Sequence, residues 1–314
     1  MKLQVVHKVA VIGAGYMSKE HIKVFASMSD VEVSGIHSRT RHKAEVVARQ
    51  FNIPVVADSI SELYEKTNAD ILIVAVSELS VKDVVEQAFQ YSWLCLIEKP
   101  AGYNYDNALQ VIELSEKYKA RVCLSLNRRY YSSTRAVLSE LNEVEGQRLI
   151  QVYDQEAPLL LDRPSEIHNN WMYANSIHVV DYLKMFGRGE VTDVIPMVHW
   201  DPNEPRYVVA KVQFSSGDIG IYTAIWNGPG PWATTITTQD KRWELRPLES
   251  AFVQTYPSRK LASLPSHPWD DEFKPGLRLQ AEDVINLLKG TPHSLTTLQD
   301  GLEIMRLVKE IYEI

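Results

Sequence analysis

Three stretches of this chain bring together side chains able to bind a diphosphate, move a proton and orient a small substrate. In the first, the apolar run Val9-Ala10-Val11-Ile12 enters Gly13-Ala14-Gly15-Tyr16-Met17-Ser18. Gly13 permits a tight turn out of a strand, and Gly15 lets the backbone approach a pyrophosphate at the N-terminus of the helix that follows. Ala14, Tyr16 and Met17 belong to the same turn, and Ser18 stands where a third glycine is usual. That position serves close helix–strand packing, and serine is nearly as small. In the second stretch, Leu94-Cys95-Leu96-Ile97 leads into Glu98-Lys99-Pro100. Ligands of open α/β sheets sit at the carboxyl ends of strands, so Lys99 is aimed where a nicotinamide would lie. The proline restricts the backbone of the lysine before it. In the third, a helix from Asn175 puts Asn175, His178, Asp181 and Tyr182 on one face, with Ile177, Val180 and Leu183 on another. An imidazole with a carboxylate three residues on is an acid–base pair, against the alternative of a structural histidine on a solvated face.

The end of the second strand bears on the cofactor. An NAD enzyme places an acid there for the ribose hydroxyls, whereas this chain has His37-Ser38-Arg39-Thr40 with Arg41, His42 and Lys43 behind. Hydroxyls beside a guanidinium suit a 2′-phosphate, so NADP is favoured over NAD. The alternative is that Ser38 caps a helix and Arg39 stacks on adenine in either cofactor.

Periodicity supplies the elements that must hold these groups. Residues 9–12, 31–36, 54–56, 71–76, 94–97 and 121–126 read as strands, and 16–28, 40–51, 61–66, 80–90 and 104–118 as helices, the third of them weakly capped by Ser61. Strict alternation with doubly apolar strands calls for a doubly wound parallel sheet. Beyond residue 126 the pattern changes to helices at 133–141 and 175–186 and strands at 148–155, 191–199, 207–214, 219–226, 234–238 and 243–248. The expected fold class is therefore α/β followed by α+β, with domains at 1–126 and 127–314 and a mostly antiparallel open sheet in the second. The proline-rich stretch 256–276 reads as an ordered surface excursion, and closing helices at 279–288 and 298–311 leave room for packing back on the first domain.

Composition narrows the classes. The 314 residues are 45% hydrophobic and 23% charged with a formal net charge of −7, which excludes a disordered chain and gives no footprint for nucleic acid or anionic lipid. Two cysteines, Cys95 and Cys123, both in apolar runs, read as reduced core thiols. Residues 1–8 lack a leader-length apolar run, and 71–76 is far too short to span a bilayer, so a cytoplasmic protein is expected. His168, His199 and His293 have no partners at metal-ligand spacing, so no metal is expected. Trp171, Tyr173 and Trp226 are aromatic residues that would wall a sugar pocket or fill the core.

Gly13-Ala14-Gly15 together with Glu98-Lys99-Pro100 resembles the glucose–fructose oxidoreductase / inositol dehydrogenase / MocA (Gfo/Idh/MocA) family, over nearly the whole chain. The resemblance implies an N-terminal Rossmann domain, a C-terminal substrate domain, and a homodimer or homotetramer formed through the open sheet. The family's Asp-x-Gly-x-His-x-x-Asp helix falls on Ala174, Ser176, His178 and Asp181, so the leading acid and the glycine are replaced. A Thr-Pro turn becomes Val76-Ser77, and a nearby histidine becomes Val81. By the resemblance, Val76, Ser77, Glu98, Lys99 and Asn127 lie at the cofactor, with Lys99 beside nicotinamide and substrate. Asn127-Arg128-Arg129-Tyr130 resembles a stretch of the MviM-like subgroup.

The activity expected is hydride transfer between nicotinamide C4 and a secondary alcohol or ketone of a sugar, nucleotide-sugar or polyol. Lys99, desolvated beside a cationic ring, is the expected base; His178 is the relay or alternative, and Asp181 orients its imidazole. Arg128, Arg129, Tyr130, Trp171 and Asn175 are expected at the substrate. Two other readings stand: a non-catalytic cofactor sensor, suggested by the lost leading acid, and a redox-neutral NAD-dependent glycosidase.

Overall fold

Apolar runs alternating with amphipathic ones fold into two compact units in the computed structural model, which describes residues 6–314. Residues 1–5, part of the start read above as leaderless, lie outside the described residues. The first unit runs to Asn127 and takes in Asp271–Leu302; the second comprises Arg128–Asp270 and Glu303–Ile314.

In chain order the first unit holds β1 (His7–Ile12), α1 (Tyr16–Ala26), β2 (Val31–His37), α2 (Arg41–Phe51), β3 (Val55–Ala57), α3 (Ile60–Thr67), β4 (Ile71–Val74), α4 (Val81–Ala88), β5 (Leu94–Glu98), α5 (Tyr105–Tyr118) and β6 (Arg121–Ser125). Its six parallel strands are ordered β3-β2-β1-β4-β5-β6, so the order of winding reverses between β1 and β4. β4 and β5 are buried along their whole length, as strands covered on both faces must be. A ligand crevice forms beyond the carboxyl ends at such a reversal.

Helix boundaries differ from the periodicity reading where local hydrogen bonds decide them. α3 is capped by Ser59, not Ser61: the Ser59 hydroxyl accepts from Glu62 N at 3.0 Å, and Glu62 reaches back to Asp58 N at 2.5 Å. That reciprocal pair starts the helix one residue before Ser61. α1 stops at Ala26, where the Ser27 hydroxyl takes the Val24 carbonyl at 2.6 Å in place of a further helical turn.

The second unit begins with α6 (Ser132–Leu141), β7 (Leu149–Glu156), α7 (Ser165–Asn169) and α8 (Ile177–Phe186). It continues with β8 (Val191–Val198), β9 (Tyr207–Phe214), β10 (Ile219–Trp226), β11 (Ala233–Thr237), β12 (Lys241–Leu245), β13 (Ala251–Thr255) and β14 (Ala262–Ser263). The eight strands run in the order β14-β13-β12-β11-β7-β10-β9-β8, antiparallel except for β7 against β10. β7, β9 and β10 alternate buried and half-exposed residues, because α8 covers one face and no element of this unit covers the other. α7 and strands β13 and β14 are too short for periodicity to reveal, and β13 is recruited by pairing with β12. After α9 (Trp269–Glu272), α10 (Leu277–Leu288) packs on α1, and α11 (Leu298–Tyr312) ends the chain.

Candidate active-site residues

The turn after β1 is built around one backbone. Gly13 has φ +118°, and a Cβ there would meet the Ala75 carbonyl oxygen at 2.1 Å and Ser18 Oγ at 2.8 Å, so only glycine fits. Ser18 is fully buried and donates to that same Ala75 oxygen at 3.2 Å, closing α1 onto the end of β4. Gly15, the N-cap of α1, has nothing within 4 Å of its absent Cβ and no acid in the turn that follows. Open space over a helix N-terminus with uncapped N–H groups is what a diphosphate requires. Tyr16 is 64% exposed at this mouth, with the Lys274 ammonium 5.4 Å from its ring centre. Lys274 sits in the proline-rich stretch and no sequence signal marks it. Val76 and Ser77 follow β4 at the same edge of the sheet, Ser77 exposed.

At the end of β2, Arg39 and Thr40 are exposed and Ser38 is half-buried, its hydroxyl accepting from Thr40 N at 3.3 Å. The N-cap of α2 is Thr40, so Ser38 is not the helix cap. Arg41 is engaged by Glu45 and Asp58.

Glu98 closes β5 inside a polar cluster. The Glu98 carboxylate lies 2.7 Å from His21 Nε2 and takes the Ser125 hydroxyl at 3.0 Å, and that hydroxyl is 2.9 Å from the Gln280 side-chain amide. Burial pushes the carboxyl up, but the His21 bond and charge, the Lys99 charge and the Ser125 hydroxyl outweigh it and hold Glu98 below the usual carboxylate range. Glu98 is therefore a buried anion at the root of Lys99, which is half-buried and joined to Pro100 by a cis bond. His21, Ser125 and Gln280 come from three distant segments, so spacing could not reveal them. Asn127 is buried, its amide donating to the Pro275 carbonyl at 3.0 Å.

In the second unit the helix expected from Asn175 is two pieces: a π-helical turn, Met172–Ser176, and then α8. His178, 7% exposed, lies in the first turn of α8. Three expectations are corrected here. Asp181, expected to orient the imidazole, has Arg129 as its partner: both its oxygens are held by that guanidinium, at 2.6 and 2.7 Å, in a two-pronged ion pair. Arg129 is thereby committed to the protein rather than to substrate. Tyr130, 1% exposed, is a core residue with Arg135 over its ring, and Tyr182 is fully buried against Thr134. The helix carries polar side chains into the interior instead of onto a solvated face.

Arg128 is held differently, by a side-chain hydrogen bond with Tyr131. Its guanidinium lies 4.3 Å above the Trp232 ring, with Nε and Nη1 buried and lacking hydrogen-bond partners among the described residues. Trp171 is buried and donates through Nε1 to Glu156 at 2.5 Å, and the Asn175 amide donates to both Glu156 oxygens at 2.9 and 3.0 Å. Trp226 belongs to the core, bonded to the Tyr312 hydroxyl at 3.2 Å. Cys95 and Cys123 are free and buried, and burial pushes both thiols up. Among the described residues, no group of three or more His, Cys, Asp or Glu is placed to hold a metal, and no helix is long and apolar enough to cross a membrane.

Residues 7–126 match the Gfo/Idh/MocA model, described as an oxidoreductase family with an NAD-binding Rossmann fold. Inositol 2-dehydrogenase 1 of Paenarthrobacter aurescens is 23% identical over 193 residues, 60% of this chain and 56% of that protein. Across the curated relatives it matches, the chain spans between 33% and 56% of their length. UDP-N-acetylglucosamine 3-dehydrogenase GnnA from Acidithiobacillus ferrooxidans superposes with a TM-score of 0.80 at 15% identity, covering 98% of this chain and 97% of that one. The dehydrogenase MviM from Clostridium difficile superposes at 0.81 with 16% identity, covering 98% and 99%. These likenesses show a shared two-part fold.

Because the folded Glu98 binds its proton more weakly than an unfolded glutamate, its stabilising contribution is present above about pH 4.3 and lost as pH falls through the lower folded value. Glu98→Gln is expected to lower unfolding free energy by about 1–3 kcal/mol at neutral pH. The gap to wild type should close in acid, as read by urea titrations over a pH series.

Proposed function

From a first unit whose residues 7–126 belong to the Gfo/Idh/MocA oxidoreductases, we propose that this chain is an NAD(P)-dependent dehydrogenase or reductase. It acts on a secondary alcohol or the matching ketone of a sugar, nucleotide-sugar or polyol. One observation carries the reading: an open glycine turn and Lys99 stand at the carboxyl edge of one sheet, on β1 and β5 with only β4 between. Two strand spacings are roughly 10 Å, within the reach of one dinucleotide.

Gly13, Ala14, Gly15, Tyr16 and Met17 would hold the diphosphate, and Val76, Ser77, Glu98 and Asn127 would border the nicotinamide half. The nicotinamide supplies the hydride chemistry when bound; the protein aligns the substrate and moves the proton. Lys99 Nζ takes the hydroxyl proton in oxidation or returns it in reduction. By the family resemblance His178 is the candidate relay, and Arg128 and Asn175 are candidates for substrate hydroxyls or a phosphate. Asp181 serves this site through Arg129, by holding the stretch that carries Arg128 against α8.

A mixture of myo-inositol, glucose 6-phosphate and UDP-N-acetylglucosamine with NAD+ or NADP+ gives a direct assay by absorbance of reduced cofactor. Lys99→Met is expected to lower turnover at least 100-fold with cofactor affinity within a few-fold; near-normal turnover would refute the role of Lys99. Reduced cofactor released into solution would also separate this activity from a redox-neutral cycle.

NADP is the favoured cofactor, since β2 ends in Ser38, Arg39 and Thr40 rather than in an acid, and the nearby Glu45 and Asp58 are paired with Arg41. Wild type should show the higher kcat/KM with NADP+, and Ser38→Asp should reverse the order; NAD+ preference in both proteins would sink the assignment.

The open face of the second sheet supports a homodimer or homotetramer. Ile219, Ile221 and Ile225 of β10 line it beside Leu149 and Tyr153 of β7, with no covering element in the unit. Ile221→Glu with Ile225→Lys should yield monomers by light scattering at unchanged helix content. Two free buried thiols suit a reducing, cytoplasmic setting.

A further inference from the structure

Strand β7 ends in a carboxyl group with no part in the chemistry above. Glu156 is 1% exposed on the helix-facing side of the sheet, as is Asp154 two residues earlier. Its oxygens are ringed by donors from the π turn and the residue that precedes it: Trp171 Nε1 at 2.5 Å, Asn175 Nδ2 at 2.9 and 3.0 Å, and Ser176 Oγ at 3.5 Å. Asn175 is also the one residue from Trp171 to Val180 that is not buried. With its amino group turned inward, its carbonyl oxygen remains for a ligand, and that oxygen accepts only from a donor such as a hydroxyl. Single π turns recur at functional sites, and this one leads directly into α8, which carries His178.

We infer that Glu156 is a positioning residue: its carboxyl group pins the Trp171 indole and turns the Asn175 amide so that the amide presents its carbonyl oxygen to a substrate hydroxyl. The inference rests on the sugar or polyol reading of the site.

A second observation describes the state of that carboxyl group. Asp154 Oδ2 takes the Tyr222 hydroxyl at 2.6 Å, whereas Oδ1 is buried without a hydrogen-bond partner. Two buried carboxylates on one strand face cannot satisfy each other unless one carries a proton, and a proton on Glu156 supplies the donor that Asp154 Oδ1 needs. Burial, then the Asp154 charge and the bond between the two, push Glu156 up to about 10, against the opposing pull of the Asn175 and Trp171 donors. Beyond Asp154 the groups facing this pocket are Tyr222 from β10 and Tyr312 from α11, both raised by burial and by Asp154, with Trp171, Asn175 and Ser176 from the π turn and the residue that precedes it. A neutral acid thus receives Trp171 and Asn175 unchanged across the neutral range.

Holding this proton opposes folding. An unfolded glutamate has lost it above about pH 4.3, so the folded state binds more protons and stability falls as pH rises toward the folded value. Glutamine has the same shape and no proton to retain. A residue whose isostere is more stable is kept for orientation rather than for the core.

The full chain, labelled with 15N at tryptophan and asparagine, reports both contacts in one spectrum, with signals assigned through Trp171→Phe and Asn175→Ser. The indole and amide signals are expected to hold position from about pH 5.5 to 8.5, to survive in Glu156→Gln, and to shift or broaden in Glu156→Leu. The melting temperature of Glu156→Gln should equal or exceed wild type at about pH 8, with the difference widening as pH rises. Signals titrating together below about pH 6, signals unmoved in Glu156→Leu, or a glutamine variant less stable than wild type at about pH 8 would each overturn the role. If Glu156→Leu fails to fold, the wild-type titration and the glutamine comparison still decide. No turnover enters the measurement, so loss of the proposed activity leaves this result standing.

Discussion

The first unit depends on the close approach of two backbones, Gly13 after β1 and Ala75 after β4. The order of winding reverses between these neighbouring parallel strands, so the connections leaving their carboxyl ends diverge and open a crevice. The crevice is usable only if α1 starts tight against the sheet. Gly13 allows this by adopting a left-handed backbone with no side chain in the way, and Ser18 completes it by donating to Ala75. A Cβ at Gly13 would push the helix off, and with it the open N-terminus at Gly15.

Two buried glutamates show how environment decides the state of a side chain. Glu98 and Glu156 are each the last residue of a strand, and burial acts against the charge of both. Glu98 faces His21, Lys99 and a hydroxyl, so it is held as an anion. Glu156 faces a second carboxylate, Asp154, and is held as a neutral acid. The first stands at the root of the proposed proton-transfer lysine; the second receives neutral donors from Trp171 and Asn175. Placing residues of one type in opposite states lets a single chain carry both a charged and an uncharged anchor at the same pH.

The ion pair between Arg129 and Asp181 shows a similar division within one short stretch. Arg129 spends its charge on the interior, tying the segment after β6 to α8, while its neighbour Arg128 rests on Trp232 and bonds Tyr131. Adjacent residues of the same type thus take different partners, a carboxylate for one and an aromatic ring for the other.

Much was legible in the residues alone. The glycine turn, the Glu-Lys-Pro strand end, the parallel first sheet and the antiparallel second one all rest on local patterns of two, three or four residues, and the folded chain carries them where the pattern puts them. What was not legible depends on partners far apart in sequence. Asp181 lies three residues from His178 yet binds Arg129, because helical spacing gives neighbours on a face but not the element packed across it. The π turn, the cluster around Glu98 and the pairing of Glu156 with Asp154 escape for the same reason. A sequence specifies which groups can hydrogen-bond; only packing decides which of them are deprived of water and made to choose one another.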